Sequence, residues 1–217
     1  MSVFKIEDLE FSYDGGKTKV LKNINYEFEK GKFYAITGRS GTGKTTLLLL
    51  MSGLDTPTSG RIMYEDNDIS KIDEDEYRSK KIGVVFQSFN LLPHLTALEN
   101  VELSMDISGL KLANKRKVAI NLLEQVRLDL QKANRRILKL SGGEQQRVAI
   151  ARAISYNPEV VLADEPTGNL DHKTEKQIID VLLNLAHEKN KCVIVVTHSK
   201  DVAENADIVY DLVKDKK

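Results

Sequence analysis

The stretch FYAITGRSGTGKTTLLLLM, residues 33–51, decides the fold of this chain. It begins with a short apolar run, Phe33 to Thr37, that predicts a buried strand, and a run of helix-forming residues starts after Gly43. The glycine loop between them matches the pattern G-x-x-x-x-G-K-[ST], in which backbone N–H groups wrap a polyphosphate at a helix N-terminus. The stretch therefore predicts a strand, a phosphate-binding loop and a helix in succession.

Four residues fill the fixed positions of this pattern: Gly38, Gly43, Lys44 and Thr45. The Lys44 ammonium is expected to reach the β- and γ-phosphates of a nucleotide, and the Thr45 hydroxyl is expected to ligate Mg²⁺. A glycine-rich turn could match such a short pattern by coincidence. The strand before the loop and the helix after it favour nucleotide binding instead.

Charge and hydropathy exclude several classes of function. The chain has 32 Lys and Arg against 32 Asp and Glu, so no global field favours nucleic acid or an anionic membrane. The longest aliphatic run, Leu47 to Met51, is far shorter than the ~20 residues that a membrane helix requires, and residues 1–10 lack the apolar core of a signal peptide. We therefore expect a cytoplasmic protein without a nucleic-acid partner. The single cysteine, Cys192, lies in an apolar run and is expected to be a buried reduced thiol.

The N-terminal residues predict an antiparallel hairpin. Residues 2–12 and 20–29 both alternate apolar and polar side chains, and Asp14-Gly15-Gly16 separates them as a turn. Tyr13 stands just before this turn. Its ring either anchors the end of the strand or stacks on a base, and the pattern alone leaves both open.

Further apolar runs predict a parallel sheet. They cover residues 81–86, 160–163 and 192–196, and helical patterns at about 143–156 and 173–189 alternate with them in β-α-β order. Ligand chemistry in such a sheet gathers at the carboxyl ends of the strands. We expect one such edge to bring together the polar residues that follow the four strands: Gly38, Gln87, Asp164 with Glu165, and His198.

The region after the second strand combines an irregular apolar segment with helices. Leu91 to Leu95 precede a Thr96 cap and a helix from about Ala97. These apolar residues either form a docking surface or pack onto the protein's own core. Residues 112–130 have a 3.6-residue period with a basic polar face, which is typical of a solvated helix rather than of nucleic-acid contact.

The motif Leu140-Ser141-Gly142-Gly143-Glu144-Gln145 completes a set that resembles the ATP-binding subunit of ABC transporters. The resemblance spans residues 2–212, and the motifs stand in the family's order. The segments FQSFNLLPHLTALENV and LADEPTGNLD most resemble those of the family branch that serves lipoprotein release, macrolide and peptide export, and cell division. It implies one ABC ATPase domain over residues 1–217, of the α/β class. This domain has a P-loop NTPase core of the RecA type, an N-terminal antiparallel β subdomain and a helical signature subdomain at about residues 88–157.

The resemblance also implies ATP and Mg²⁺ as cofactors and a role for each motif residue. Tyr13 is expected to stack on adenine, Asp164 to hold Mg²⁺ through water, and Glu165 to act as the general base on the attacking water. Gln87 is expected to ligate Mg²⁺, to help position water and to sense a membrane partner. His198 is expected to bridge the γ-phosphate and water. The residues expected to hold the triphosphate are those of the phosphate loop: Gly38, Ser40, Gly41, Gly43, Lys44, Thr45 and Thr46.

The signature motif predicts a second anion-binding element. Ser141, Gly142 and Gly143 open a predicted helix and offer a hydroxyl and free N–H groups to an anion. Because the chain already has a phosphate loop, a second such element makes sense if it completes the site of a neighbouring copy. We therefore expect a homodimer in the ATP-bound state, and the resemblance places Asp171 in the loop that crosses to the other subunit.

The resemblance implies partners as well. It predicts an integral membrane permease that docks near Gln87–Asn100 and holds the chain at the inner face of the cell membrane, and an extracytoplasmic adaptor reached through that permease. The branch implies export or efflux of a peptide, antimicrobial or lipid-like substrate. Two alternatives stay open: an ATPase that regulates a cell-wall enzyme through a membrane protein, and a soluble ABC ATPase. Asp129–Lys139 matches no motif, and the substrate would be selected by the partner.

Overall fold

The computed structural model describes residues 2–13, 16 and 18–212, and its first sheet is antiparallel. This sheet contains β1 (Ser2–Tyr13), β2 (Thr18–Glu29), β4 (Ser59–Tyr64) and β5 (Asn67–Asp68), in the order β2-β1-β4-β5. The hairpin that the alternating pattern predicts is formed by β1 and β2, whose pairs extend to Tyr13 opposite Thr18. The predicted turn residues Asp14 and Gly15 lie outside the described residues.

The second sheet is parallel and carries the phosphate loop. Its strands lie in the order β6-β7-β8-β3-β9, and their bounds are β3 (Phe33–Thr37), β6 (Ile82–Val85), β7 (Val160–Asp164), β8 (Cys192–Thr197) and β9 (Ile208–Asp211). Every residue of β7 and β8 is buried, because both faces of the sheet are covered. This explains why the central strands have continuous apolar sequences.

Alternate residues of the parallel strands face two separate hydrophobic cores. In β3, Phe33 and Ala35 pack with helices on one face, whereas Tyr34 and Ile36 pack with the antiparallel sheet on the other. Cys192 belongs to the second core, and its thiol is free and buried, as its apolar surroundings predict. Burial raises the pKa of this thiol, so it stays protonated.

The helices complete the outer layers. One helix, α1 (Lys44–Met51), packs on the same side as the antiparallel sheet. The others are α2 (Glu74–Glu76), α3 (Ala97–Ile107), α4 (Lys115–Gln125), α5 (Leu130–Ala133), α6 (Gly142–Ala153), α7 (His172–His187) and α8 (Lys200–Asn205). Among the described residues, none of the helices combines the length and the apolar character that a membrane span requires.

The helix predicted from the period of residues 112–130 is shorter than expected. α4 covers Lys115–Gln125, and the chain then turns at Arg127, whose φ is 63°. Asp129 caps the next short helix, because its carboxylate accepts a hydrogen bond from the Lys132 N–H. The apolar period continues across this turn because residues on both sides of it face the same core.

Candidate functional site

A cleft of about 580 Å³ lies at the carboxyl ends of the parallel strands. It brings together residues from the end of β1, the start of β2, the phosphate loop and the segments that follow β6, β7 and β8. Ten of the residues that the sequence singles out line it: Tyr13, Ser40, Gly41, Gly43, Lys44, Thr45, Thr46, Gln87, Glu165 and His198. Of the strand-end residues, Gln87, Glu165 and His198 line the cleft. Gly38 and Asp164 do not line it, but they bond to the cleft residues Lys44 and Thr45.

The phosphate loop leaves the N-terminus of α1 open toward the cleft. No side chain caps α1, and its first turn contains no acidic residue. Gly41 and Gly43 adopt φ of 77° and 98°, which side chains rarely permit. A Cβ on Gly43 would also lie 2.7 Å from the Val20 side chain. The exposed N–H groups and the helix dipole make this terminus suited to a phosphate group.

The Lys44 ammonium is held across the mouth of this loop. Its Nζ donates to the carbonyl oxygens of Gly38 at 2.8 Å and Arg39 at 3.3 Å, and the side chain is buried. These two carbonyls satisfy the donors only in part, since an ammonium has three protons. A buried cation beside an uncapped helix N-terminus fits a polyphosphate, which would supply the compensating negative charge.

Asp164 lies behind the wall of the cleft and pairs with Thr45, which lines it. The Thr45 hydroxyl donates to the Asp164 carboxylate at 3.4 Å. Burial raises the pKa of Asp164, and the neighbouring Glu165 raises it further, while the hydrogen bond from Thr45 and the Lys44 charge oppose this. A buried carboxylate beside a hydroxyl matches the oxygen ligands that Mg²⁺ takes. A divalent cation would also compensate the cost of burying this carboxylate in its charged form.

The Glu165 carboxylate is held by the segment that follows β8. One oxygen, Oε2, accepts hydrogen bonds from the Thr197 hydroxyl at 2.9 Å and from the His198 N–H at 3.2 Å. The other oxygen, Oε1, lies 2.8 Å from His198 Nδ1. The Glu165 side chain is 11% exposed, whereas that of His198 is 67% exposed and faces the cleft. A carboxylate in this position can accept a proton from a water molecule in the cleft.

Tyr13 retains features of both interpretations that its sequence position allows. Its ring packs edge-on against Phe11 with centroids 4.9 Å apart, which anchors the end of the strand. Its hydroxyl lies 3.2 Å from the Thr46 hydroxyl, and the residue is 43% exposed at the wall of the cleft. The ring is therefore anchored along one edge and open to a ligand.

The signature residues form a separate group outside this cleft. Ser141 begins α6 with a capping box, since its hydroxyl accepts from the Glu144 N–H and its own N–H donates to the Glu144 carboxylate. Gly143 packs against the next segment so closely that a Cβ there would lie 2.4 Å from Thr174 Cγ2. Asp171 caps α7 through the hydroxyl and N–H of the same Thr174, and these bonds lower its pKa. The structure thus places Asp171 near the signature motif, with Thr174 in contact with both, and neither lines the cleft.

Two contacts close to the expected site residues could not be read from the sequence. Arg152, on α6, donates from its guanidinium to the carbonyl oxygens of Phe89, at 2.9 Å, and Asn90. Both acceptors have left-handed backbones, with φ of 60° and 50°. The second contact is that of Thr197, a threonine directly before a polar strand-end residue. Only its position next to His198 could have drawn attention to it.

A further group of potential metal ligands lies beside the start of α7. The group comprises His172, Glu175 and Asp201, whose ligand atoms lie within 4.8 Å of one another. These groups already have protein partners, because His172 pairs with Asp201 at 3.2 Å and Glu175 accepts from the Ser199 hydroxyl at 2.7 Å.

A parallel sheet with a glycine loop, a buried lysine and paired carboxylates at one edge defines a nucleotide-binding protein of the P-loop class. Residues 21–168 match the family model for ABC transporters, so the chain belongs to the ABC transporter ATP-binding family. It is an ATPase of that family and binds ATP.

Similar proteins support this assignment over nearly the whole chain. An uncharacterized ABC transporter ATP-binding protein of Bacillus subtilis, YclH, is 44% identical over 96% of this chain and 92% of its own length. The lipoprotein-releasing system ATP-binding protein LolD of Legionella pneumophila is 45% identical, with coverage of 91% and 89%.

The fold has close counterparts among solved structures. The dimeric cassette MJ0796 of Methanocaldococcus jannaschii matches with a TM-score of 0.86 and 42% identity, over 96% of this chain and 94% of that one. A post-hydrolysis dimer of MJ0796 bound to ADP and Pi matches with a TM-score of 0.87 and 40% identity, over 99% and 98%. These structures bear out the P-loop NTPase core and the mixed sheets expected from the sequence.

Proposed function

We propose that this chain is the motor subunit of an ABC transporter and that two copies close head to tail around ATP. The observation that carries the proposal is that the phosphate loop lines the cleft, whereas Ser141, Gly142 and Gly143 at the start of α6, which we propose as a second anion-binding element, do not. Because Ser141, Gly142 and Gly143 do not line their own cleft, they are free to close the cleft of a second copy. The dimeric MJ0796 relatives support this arrangement.

The cleft residues have separate roles in the proposed reaction. The phosphate loop and Lys44 bind the triphosphate, while Thr45, Asp164 and Gln87 would hold Mg²⁺. When bound, Mg²⁺ would neutralise charge on the phosphate oxygens.

Glu165 and His198 supply the proton chemistry. Glu165 takes a proton from the attacking water, and the exposed imidazole of His198 positions that water beside the γ-phosphate. Tyr13 stacks on the adenine from the wall of the cleft. Asp171 belongs to the loop that crosses to the other subunit.

A membrane permease is the proposed partner, and it docks on Gln87–Asn100. The buried amide of Asn100 holds this segment in place, because its oxygen accepts from the Leu92 N–H at 2.9 Å and its nitrogen donates to the Leu92 carbonyl at 3.2 Å. Leu91 packs on the core, whereas Leu92 is 47% exposed. The segment therefore combines a rigid base with an outward apolar side chain, which suits a docking surface.

The proposed site of action is the cytoplasmic face of the cell membrane. Likeness to LolD favours export of a lipid-like, peptide or antimicrobial substrate, with an extracytoplasmic adaptor reached through the permease. The helical region at about residues 88–157, which contains both the docking segment and α6, is the proposed subdomain that moves when the dimer closes.

The test uses Glu165→Gln, which removes the general base but keeps the size of the side chain. We expect this variant to form a long-lived dimer with ATP and Mg²⁺, seen by light scattering after size-exclusion chromatography. Captured from gently solubilised membranes of the source cell, it should retain a polytopic membrane protein.

Lys44→Ala is the matched control, because it removes the phosphate ligand and should give neither the dimer nor the co-captured protein. A Glu165→Gln variant that stays monomeric at saturating ATP would overturn the proposed closure. A dimer that captures only soluble proteins would overturn the transport assignment while leaving the ATPase intact.

A further inference from the structure

The end of β8 contains a buried hydroxyl that the proposed chemistry does not yet use. Thr197 is fully buried, and its hydroxyl has two partners. It donates to Glu165 Oε2 at 2.9 Å and accepts from the Ser199 N–H at 3.0 Å. Because a hydroxyl has a single proton, the Thr197 hydrogen is committed to the Glu165 carboxylate.

We propose that Thr197 is a positioning residue for the Glu165 carboxylate, an inference that rests on the function proposed above. Glu165 stands on a left-handed backbone, with φ of 44°, directly after β7. Its side chain bonds to the segment that follows β8, through the Thr197 hydroxyl and through the N–H and ring of His198. Thr197 supplies the one such contact that comes from a fully buried side chain.

The rigidity of Thr197 suits this role. Its backbone lies in the parallel sheet opposite Thr37, and its β-branched side chain has few rotamers available there. Oε2 is thus held by the Thr197 hydroxyl and the His198 N–H, and Oε1 lies beside the His198 imidazole. A general base is effective only when its acceptor oxygen is held within hydrogen-bond reach of the proton that it removes.

A chain of hydrogen bonds connects this carboxylate to the helix that follows Asp171. Ser199 donates its N–H to Thr197 and its hydroxyl to Glu175, which lies in the first turn of α7. Asp171 caps that same turn. Thr197 thus fixes the Glu165 carboxylate relative to the loop that is proposed to cross to the second copy, so closure of the dimer can be sensed at the base.

The experiment replaces the hydroxyl without changing the shape of the side chain. Thr197→Val keeps both branches at Cβ but removes the donor, and Thr197→Ser keeps the donor. We expect Thr197→Val to lower kcat for ATP hydrolysis about 10-fold, as the loss of one aligned hydrogen bond at the base predicts. KM for ATP and ATP-dependent dimer formation should stay unchanged, and the trapped dimer should last longer. Thr197→Ser should restore kcat.

The same substitution in the Glu165→Gln variant distinguishes a positioning role of Thr197 from a general structural effect. If Thr197 acts through Glu165, Thr197→Val should cause no further loss of the residual hydrolysis rate in Glu165→Gln. An equal loss in both backgrounds, with a lower melting temperature that serine does not restore, would overturn the proposal. So would a parental kcat in Thr197→Val when Glu165→Gln is inactive.

The two proposals fail in distinguishable ways. A Glu165→Gln variant that hydrolyses ATP at the parental rate would remove the base from the proposed function, whatever Thr197→Val does. Should the valine variant not fold, Thr197→Ala takes the same measurements, because it also removes the hydroxyl donor. A parental kcat in Thr197→Ala would then overturn the positioning role.

Discussion

The carboxylate of Asp207 joins three elements of the core at the end opposite the cleft. Its Oδ2 accepts from the Phe33 N–H at the start of β3, at 2.7 Å, and lies 2.8 Å from His187 Nε2 in the last turn of α7. Partial burial alone would raise the pKa of Asp207. The hydrogen bonds from Phe33 and His187 outweigh that effect, and the pKa lies below its ordinary value.

A depressed pKa at Asp207 predicts how the stability of the protein depends on pH. The Asp207 carboxylate binds a proton more readily in the unfolded chain than in the folded one. Its contribution to the free energy of unfolding is therefore fully present above the unfolded pKa of ~3.9 and is lost as pH falls through the lower folded pKa. Asp207→Asn should therefore reduce the free energy of unfolding by about 1 kcal/mol at pH 7, after allowance for solvent screening. The difference should shrink below about pH 4. Urea titrations between pH 3 and 7 measure this.

Asp201→Asn is the control for Asp207→Asn. Asp201 also pairs with a histidine, at 3.2 Å, but His172 is 68% exposed and the pair bridges only surface residues. We expect Asp201→Asn to change the free energy of unfolding by less than about 0.5 kcal/mol. Equal losses in the two variants would show that the Phe33 contact is not what makes Asp207 important.

Individual site residues were predictable where a short pattern fixes their chemistry. Lys44 and Thr45 follow from the glycine loop, because a phosphate-binding turn requires those residue types at that spacing. Thr197 was not predictable, because its partner Glu165 lies 32 residues away and no local pattern records a contact between two strands. Tyr13 stayed ambiguous in the sequence because anchoring and stacking both require the same aromatic ring.

At the scale of elements, the signature helix α6 and the start of α7 meet through Gly143 and Thr174. A Cβ on Gly143 would lie 2.4 Å from Thr174 Cγ2, and Thr174 cannot rotate freely because its hydroxyl bonds to Asp171 at 2.6 Å. The glycine thus has a packing role in addition to the anion-binding role that its motif predicts.

This contact predicts a specific rescue. Gly143→Ala should push the two helix starts apart and lower ATP-dependent dimer formation at least about 10-fold, because overpacking of this size costs typically 1–3 kcal/mol. Adding Thr174→Ser removes Cγ2 but keeps the bond to Asp171, and should recover most of the dimer. Analytical ultracentrifugation of these variants, made in the Glu165→Gln background and with ATP present, measures the fraction of dimer. If the double variant dimerises no better than Gly143→Ala, the clash with Thr174 is not the cause of the loss.

The bounds of a helix or strand were predictable from the sequence where its residues are uniformly buried. β3 begins and ends at the residues expected, since the glycine that follows the apolar run fixes where the strand can end. The predicted strand 81–86 is slightly longer than β6, and the predicted helix 112–130 is clearly longer than α4. In both cases apolar residues continue past the end of the hydrogen-bonded element. The chain turns after α4 at Arg127, which has a left-handed backbone, and no glycine or proline next to Arg127 marks this turn in the sequence.

For the whole molecule, the proposed pairing of the phosphate loop with the signature helix of a second copy predicts complementation between damaged copies. Lys44→Ala destroys the phosphate loop and Ser141→Arg blocks the signature helix, so each variant alone should be inactive. In a mixed dimer, one site would contain both defects and the other none. An equimolar mixture should recover ATPase activity of up to about a quarter of the parental rate, given random pairing. Activity that stays at the background of the separate variants would contradict head-to-tail pairing.

The two cores on either side of the parallel sheet restrict how the gene can change in length. Because successive residues of a strand such as Val160–Asp164 belong alternately to the two cores, a one-residue deletion inside it would exchange every side chain between them. The same deletion would withdraw Asp164 from the edge of the cleft. We therefore expect a one-residue insertion or deletion to be tolerated better in a loop such as 108–114, which lies between two helices, than inside a strand of the parallel sheet.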